Sequence, residues 1–276
     1  MINMKRNRST ARAVASFWGK DLEDKSWFSM KQGDNGTAQI RIYDVIGWPF
    51  IEAGEFAKEL DAIEADKIEL KINTPGGDVF DGTAIYNMLN DHPAQISTKI
   101  EGIAASMGSI IALAGDKGHR EISKTGQYMI HNPSSLAWGD YRTMNGTAEL
   151  LLETIGAPMV QLYTEVTGKE STEIQTLMDN ESWFTGQKAV DAGFIDKVVG
   201  QSQSTARFNL SVFENAPEKD NEINKRTIEQ VLMRDAGLTR SQARKLMAGG
   251  LDSIDMQDAI SETEQAAKNL LEILKD

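Results

Sequence analysis

The sequence predicts an α/β protein with a mostly parallel sheet. Residues 38–43, 67–73 and 95–103 alternate apolar and polar side chains with the period of a half-buried strand. Residues 50–63 and 83–89, which lie between these segments, instead carry apolar side chains at helical spacing. Strands that alternate with helices form right-handed βαβ crossovers, so the pattern indicates one parallel sheet with helices packed on it.

Local features support these elements in turn. The first predicted helix repeats Phe56, Leu60 and Ile63 on one face. The second strand stops at Pro75-Gly76-Gly77, which is a turn signal, and the third runs into a segment of small residues.

The second half of the predicted domain continues the alternation. Residues 139–167 form a long helical stretch with few breakers before Gly156-Ala157-Pro158. Residues 188–195 have the pattern of a short helix, and 196–199 that of a final strand. Apolar residues of the long stretch serve either the core or an interface with another subunit; they are Met144, Leu150, Leu151, Ile155, Met159 and Leu162.

Composition divides the chain into four parts. Residues 1–26 are a flexible arm that is basic over its first 20 positions, although a transit peptide would have a similar composition. Residues 27–200 form the main domain. A polar linker, 201–226, then leads to a small C-terminal helical extension, 227–276, whose surface is locally basic.

Charge and residue usage exclude several classes of protein. The 276 residues include 29 Lys and Arg against 41 Asp and Glu, a formal net charge of −12, which disfavours a general nucleic-acid binder. The absence of cysteine excludes disulfides, thiolate zinc sites and a cysteine nucleophile. No apolar run approaches the ~18–20 residues that span a bilayer. We therefore expect a soluble intracellular protein without a membrane partner.

A segment of small residues at 102–109 contains the strongest candidate nucleophile. Ser106 is flanked by Ala104, Ala105 and Gly108, so backbone can approach it closely and a helix can begin beside it. A nucleophilic serine needs this geometry, with Oγ on a sharp strand-to-helix turn and free backbone N–H groups nearby. The alternative is a serine that caps a helix.

Three other positions could complete a catalytic site. His131 ends an apolar strand before Asn-Pro, and it could be either a general base for Ser106 or a structural histidine. The N–H of Gly77, in a turn after a strand, could donate to a developing oxyanion. Asp179 or Glu181 could orient the histidine, or serve as an acidic turn or helix cap.

In their order and spacing, these segments resemble the proteolytic subunit of the Clp protease, a serine peptidase with a crotonase-like fold of repeated ββα units. The resemblance spans residues 38–200. It is carried by Ile72-Asn-Thr-Pro-Gly-Gly77, Ala104-Ala-Ser-Met-Gly108, Met129-Ile-His-Asn-Pro133 and Ala189-Val-Asp-Ala-Gly-Phe-Ile-Asp196.

The resemblance implies a role for each candidate. Ser106 would be the nucleophile, His131 the general base, and the N–H groups of Gly77 and Met107 the oxyanion hole. The family usually has an aspartate as its triad acid, and alignment on residues 189–196 places Glu181 there. Counting forward from His131 leaves Asp179 and Glu181 on either side of the expected place, and we predict Glu181. The implied reaction requires no metal and no organic cofactor.

The flanking segments are similar to the Clp-like head maturation proteases of tailed bacteriophages. These segments are Trp27-Phe-Ser-Met, residues 40–49, Glu181-Ser-Trp-Phe-Thr and residues 230–245. That resemblance implies a homo-oligomeric ring that cleaves scaffold and capsid polypeptides, located in the host cytoplasm and the procapsid.

Four alternatives stay open. Two are peptidases: a housekeeping Clp subunit that works with an ATP-driven unfoldase, and a signal-peptide-peptidase-like protein with a lysine base. A third is a crotonase-fold acyl-CoA enzyme that stabilises an enolate, and a fourth is a non-catalytic assembly protein.

Overall fold

A computed structural model describes residue 6 and residues 8–20, 28–32, 36–200 and 208–216. It confirms the predicted α/β class with a mostly parallel sheet. The strands are β1 (Phe28–Gln32), β2 (Thr37–Ile42), β3 (Lys67–Thr74), β4 (Gln95–Ala105), β5 (Arg120–Ser123), β6 (Gln127–Ile130), β7 (Ser182–Thr185) and β8 (Lys197–Val199). The α-helices are α1 (Arg8–Phe17), α2 (Ala53–Leu60), α3 (Val79–Asp91), α4 (Met107–Ala112), α5 (Tyr141–Glu149), α6 (Ala157–Thr167), α7 (Ser171–Asp179) and α8 (Gly186–Asp191).

Within the described residues, the main path of the sheet runs β1-β2-β3-β4-β5-β8. All neighbours from β2 to β8 on this path pair in parallel, and only β1 at the edge is antiparallel to β2. The alternating pattern of β2 and β3 places fully buried aliphatic side chains between the sheet and its helices. These side chains are Ile40, Ile42, Ile68, Leu70 and Ile72.

Strand β4 pairs with two different strands along its length. Its first part pairs with β5, through residues 98–100, and its last part pairs in parallel with β6, through residues 103–105. Strand β7 then adds to β6 in antiparallel orientation. Because β3, β4 and β6 run in the same direction, the residues that follow all three strands lie at one edge of the sheet.

The predicted long helix is interrupted by a π-helical segment, Leu150–Gly156, between α5 and α6. The N–H of Ala157 bonds to the carbonyl oxygen of Leu152, five residues earlier. Pro158 follows directly; a proline has no N–H and its ring collides with the carbonyl four residues before it in a regular α-helix. The wider π turn accommodates this proline without breaking the helix.

Two segments outside the predicted main domain pack onto it. Helix α1 forms within the predicted basic arm and buries Ala11 and Ala15. Residues 208–216, from the predicted linker, include a short 3₁₀ helix, Leu210–Val212, and bury Phe213. The predicted extension, 227–276, lies outside the described residues, so the four-part division of the chain stays a prediction. No described helix is long and apolar enough to cross a membrane.

Candidate active site

Ser106 lies on a sharp turn between β4 and α4. Its backbone has φ 54° and ψ −125°, a region that non-glycine residues rarely adopt, and its N–H donates to the carbonyl oxygen of Met129 at 3.1 Å. The small neighbours are required sterically, since a Cβ on Gly108 would lie 2.6 Å from Cγ2 of Thr74. The Ser106 hydroxyl makes no capping bond to α4, which separates it from an ordinary helix cap.

His131 follows β6, and its imidazole reaches the serine. The Nε2 atom lies 2.9 Å from Oγ of Ser106. Burial lowers the pKa of His131 below its ordinary value, and the nearby Glu181 carboxylate partly offsets this by raising the same pKa. Burial therefore favours the neutral imidazole, and Nε2 can accept a proton from the serine when Nδ1 carries the ring hydrogen.

The turn after β3 brings bare backbone close to Ser106. Gly77 has φ 143°, and a Cβ there would overlap the carbonyl oxygen of Ile46. A Cβ on Gly76 would lie 2.7 Å from Cβ of Ser106. Ile46 bonds to the carbonyl oxygen of Gly76 and to the N–H of Asp78, but not to the N–H of Gly77.

Two main-chain donors near Ser106 are available, one in this turn and one at the start of α4. The N–H groups of Gly77 and Met107 donate no hydrogen bond to any part of the chain that the structure describes. Met107 is the first residue of α4, where the N–H has no partner within the helix. Backbone donors beside a serine hydroxyl suit the stabilisation of a developing oxyanion.

Glu181 lines the same cavity as Ser106 and His131. Its Oε1 accepts from the indole N–H of Trp183 at 3.1 Å and from the N–H of Asn215 at 2.6 Å, and its Oε2 accepts from the N–H of Glu214 at 2.9 Å. Within the described ranges, no hydrogen bond joins Glu181 to His131, so the two interact through charge.

Asp179, the other candidate acid, is hydrogen-bonded to side chains outside the cavity. It lies at the end of α7 and accepts from the amides of Asn132 and Gln175, both at 2.8 Å. The bond from Asn132, and next that from Gln175, lowers the pKa of this exposed carboxyl group. The structure therefore brings Glu181, and not Asp179, to the cavity that contains His131.

The cavity has a volume of about 330 Å³. Several residues of its lining were not predicted as part of the site from sequence; they include Phe17, Trp18, Val79, Met159, Val212 and Phe213. The aromatic residues within the otherwise polar arm and linker could have indicated that these segments pack on the main domain, because an exposed linker has no need of aromatic side chains. Among the described side chains, no group of three or more His, Asp or Glu is arranged to hold a metal ion.

The fold and the Ser–His pair are together typical of α/β serine hydrolases. Comparison with known proteins names the family: the family model described as "Clp protease" matches residues 57–202. The chain belongs to the Clp protease family, a family of serine peptidases whose members form oligomeric rings and act on polypeptides.

Curated relatives agree with this assignment. The chain is similar to ATP-dependent Clp protease proteolytic subunit 1 of Leifsonia xyli, with 34% identity over 53% of this chain and 76% of the relative. It is also similar to subunit 1 of Corynebacterium jeikeium, with 36% identity over 50% and 73%. A third relative is the proteolytic subunit of Streptococcus pneumoniae, with 35% identity over 52% and 74%.

Proposed function

We propose that this protein is a serine endopeptidase in which Ser106 is the nucleophile, His131 the general base and Glu181 the acid of the triad. The observation that carries the proposal is the 2.9 Å contact between Ser106 Oγ and His131 Nε2 on a sharp strand-to-helix turn. Membership of a serine peptidase family supports it independently.

The geometry accounts for each step of the reaction. Nε2 of His131 takes the serine proton as Oγ attacks the peptide carbonyl carbon, and the N–H groups of Gly77 and Met107 donate to the oxyanion. The imidazolium returns the proton to the leaving amine. Water, deprotonated by His131, then attacks the acyl-enzyme, and His131 gives that proton to Ser106 Oγ as the bond to the acyl group breaks. Glu181 stabilises the imidazolium through its negative charge.

An active-site probe tests the proposal. Wild type and Ser106→Ala are incubated with a fluorophosphonate, and the intact mass of each is measured. One adduct on wild type and none on the variant is the expected result, with His131→Gln labelled far more slowly. A folded, assembled wild type that stays unlabelled would overturn the assignment and leave the acyl-CoA and assembly-protein alternatives.

For the substrate, we propose scaffold and capsid polypeptides that are cleaved during phage head maturation, in the host cytoplasm and the procapsid. The support is the similarity of the segments around Trp27 and Glu181, and of residues 230–245, to head maturation proteases. A second candidate is an ATP-dependent degradative subunit, because the curated relatives carry that name.

The two candidate functions predict different cleavage products and a different requirement for ATP. The protein is incubated with capsid–scaffold particles, and separately with casein with or without an ATP-driven unfoldase. A few discrete fragments from the particles without ATP would support head maturation. Processive degradation of casein to short peptides only with the unfoldase and ATP would support the second candidate instead.

A further inference from the structure

Residues 208–216, here called the strap, contact the site although they lie beyond the part of the chain that the family model matches. The N–H of Asn209 donates to the carbonyl oxygen of Trp18 at 3.2 Å, and the Asn209 amide donates to that of Phe17 at 3.3 Å. The Lys20 ammonium lies 5.8 Å from the ring centre of Phe208.

The end of α1, to which the start of the strap is hydrogen-bonded, is joined to the main domain by a buried ion pair. The Lys20 ammonium, with 10% of its side chain exposed, lies 2.7 Å from the fully buried carboxylate of Asp44. Removing one partner would leave a buried charge unpaired, so the pair ties Lys20, just after α1, to the main domain, and the strap contacts that residue through Phe208.

The far end of the strap binds Glu181 through its main chain. The N–H groups of Glu214 and Asn215 donate to different oxygens of that carboxylate, and the Asn215 amide donates to the carbonyl oxygen of Asn180 at 3.0 Å. Hydrogen bonds to a charged acceptor are stronger than neutral ones. Main-chain donors on both oxygens fix the position and the orientation of the carboxylate together.

The middle of the strap packs on His131. Phe213 is 5% exposed, and its ring centre lies 5.6 Å from that of His131 in an edge-on arrangement. The same ring lies 5.6 Å from Trp183 and 6.2 Å from Trp18, so two further aromatic residues hold Phe213 against the imidazole. This contact restrains the imidazole and shields it from water.

The strap leaves the site open. Ser106 and His131 are in contact with the strap in place, and a cavity of about 330 Å³ remains beside them, with Phe213 and Val212 as part of its wall. A plug would fill this space or separate the pair. The strap does neither, so its contacts are those of a support.

We propose that the strap is a working part of the active site: its main chain positions the Glu181 carboxylate, and Phe213 positions His131. Phe213, Glu214 and Asn215 are thus positioning residues that act through the acid and the base. The inference rests on the proposed peptidase function, and it adds to that function a segment that lies outside the residues matched by the family model.

The first test removes one main-chain donor. Asn215→Pro has no N–H for Glu181, whereas Asn215→Ala keeps the N–H and loses only the side-chain bond to Asn180. Because a charge-assisted hydrogen bond is lost, we expect kcat to fall about tenfold or more in the proline variant, with little change in KM, and far less in the alanine variant. Equal activity of both variants and wild type, or faster turnover by the proline variant, would overturn the proposal.

The second test removes the Phe213 ring that packs on His131. Phe213→Ala admits water to the imidazole, so the pKa of His131 should rise and the acid limb of kcat/KM should move to higher pH. Phe213→Leu, which keeps an apolar side chain there, should shift the limb less. A lower rate with an unmoved acid limb would indicate a merely structural role and contradict the proposal.

A third measurement does not depend on turnover. The chain has three histidines, so the titration of His131 can be followed by NMR and assigned with His131→Gln. The pKa of His131 should be higher in Phe213→Ala than in wild type. If wild type is not labelled by the fluorophosphonate, the peptidase proposal fails, and an unchanged His131 titration separately overturns the role of the strap. Circular dichroism and thermal melting check that each variant is folded.

Discussion

Ser106 and Glu181 are the two non-glycine residues with positive φ in the described part of the chain, at 54° and 44°, and both line one cavity. Such conformations cost about 1–3 kcal/mol each and persist only where surrounding structure holds them. At Ser106 the surroundings are Gly76, Gly108 and the end of β6. At Glu181 they include Trp183 and the strap.

The conformation of Gly77 gives a prediction about the oxyanion hole. In Gly77→Ala the new Cβ would overlap the carbonyl oxygen of Ile46 and move the N–H away from the site. Loss of one oxyanion donor typically costs about 10²–10³ in kcat, and we expect a loss of that order from peptide hydrolysis assays.

Gly54→Ala is the matched control, because a Cβ on Gly54 in α2 would meet no atom within 4 Å. It should keep full activity and should not lose stability, because alanine is the better helix former. Equal kcat in the two alanine variants would contradict the role of Gly77.

The charge of Glu181 gives a prediction about pH. The neutral form of His131 is the base, so kcat/KM should rise as pH increases through the pKa of His131, which burial holds below its ordinary value. Glu181 raises that pKa, so Glu181→Gln should move the acid limb to lower pH while it reduces the rate.

Asp179→Asn provides the comparison, because Asp179 bonds to Asn132 and Gln175 and does not line the cavity. Its profile of kcat/KM against pH should match that of wild type. If Asp179→Asn, and not Glu181→Gln, moves the acid limb, the assignment of the triad acid is wrong.

At the scale of elements, a buried chain of hydroxyl groups ties the nucleophile turn to α6. Oγ of Ser109 lies 2.6 Å from the carbonyl oxygen of Ser106 and 2.7 Å from the hydroxyl of Tyr163. A carbonyl can only accept, so Ser109 donates its single proton to Ser106, and Tyr163 donates to Ser109. Helix α6 thereby restrains the first turn of α4.

Ser109→Ala should therefore destabilise the protein. The variant leaves the fully buried Tyr163 hydroxyl without this acceptor, and the free energy of unfolding should fall by about 1–3 kcal/mol in chemical denaturation. Tyr163→Phe removes the hydroxyl itself and should cost less. A larger loss in Tyr163→Phe than in Ser109→Ala would contradict this hydrogen-bond direction.

Sequence patterns predicted the three long strands well and the short strands unevenly: the final strand predicted at 196–199 is confirmed as β8, Lys197–Val199. The predicted strands at 38–43, 67–73 and 95–103 are confirmed as β2, β3 and β4 within two residues. Strands β5 and β7 have four residues each and were not predicted, because such short segments contain too few alternations to be distinguished from loops. Their places are decided by pairing with β4 and β6.

In the molecule as a whole, large apolar side chains lie exposed in the segment that follows His131 in the sequence. Leu136 is 82% exposed, Trp138 86% and Tyr141 72%, whereas Ile155 and Met159 of the long helical stretch are buried. Within that stretch Met144 is 42% exposed and Leu152 59%, so it has both buried and exposed apolar side chains. Members of this family form rings, and we expect these exposed side chains to be covered by neighbouring subunits.

Trp138→Asp should consequently weaken assembly. Burying a carboxylate in an apolar contact is unfavourable, so the variant should have a lower mass by light scattering at equal concentration. Lys58→Ala, an exposed position in α2, should leave the mass unchanged. Identical masses for Trp138→Asp and wild type would show that Trp138 makes no subunit contact.

The α/β class, the long strands and the segments that carry Ser106, His131 and Gly77 could all be predicted before the fold was known. These properties follow from local patterns: periodicity, turn residues and short motifs. The positions of Glu181 in the cavity and of Asp179 outside it, and the bonds from the strap to Glu181, depend instead on how distant segments pack together. The bonds from Glu214 and Asn215 to Glu181 join residues 33 and 34 positions apart, and no local pattern encodes a main-chain contact at such a separation.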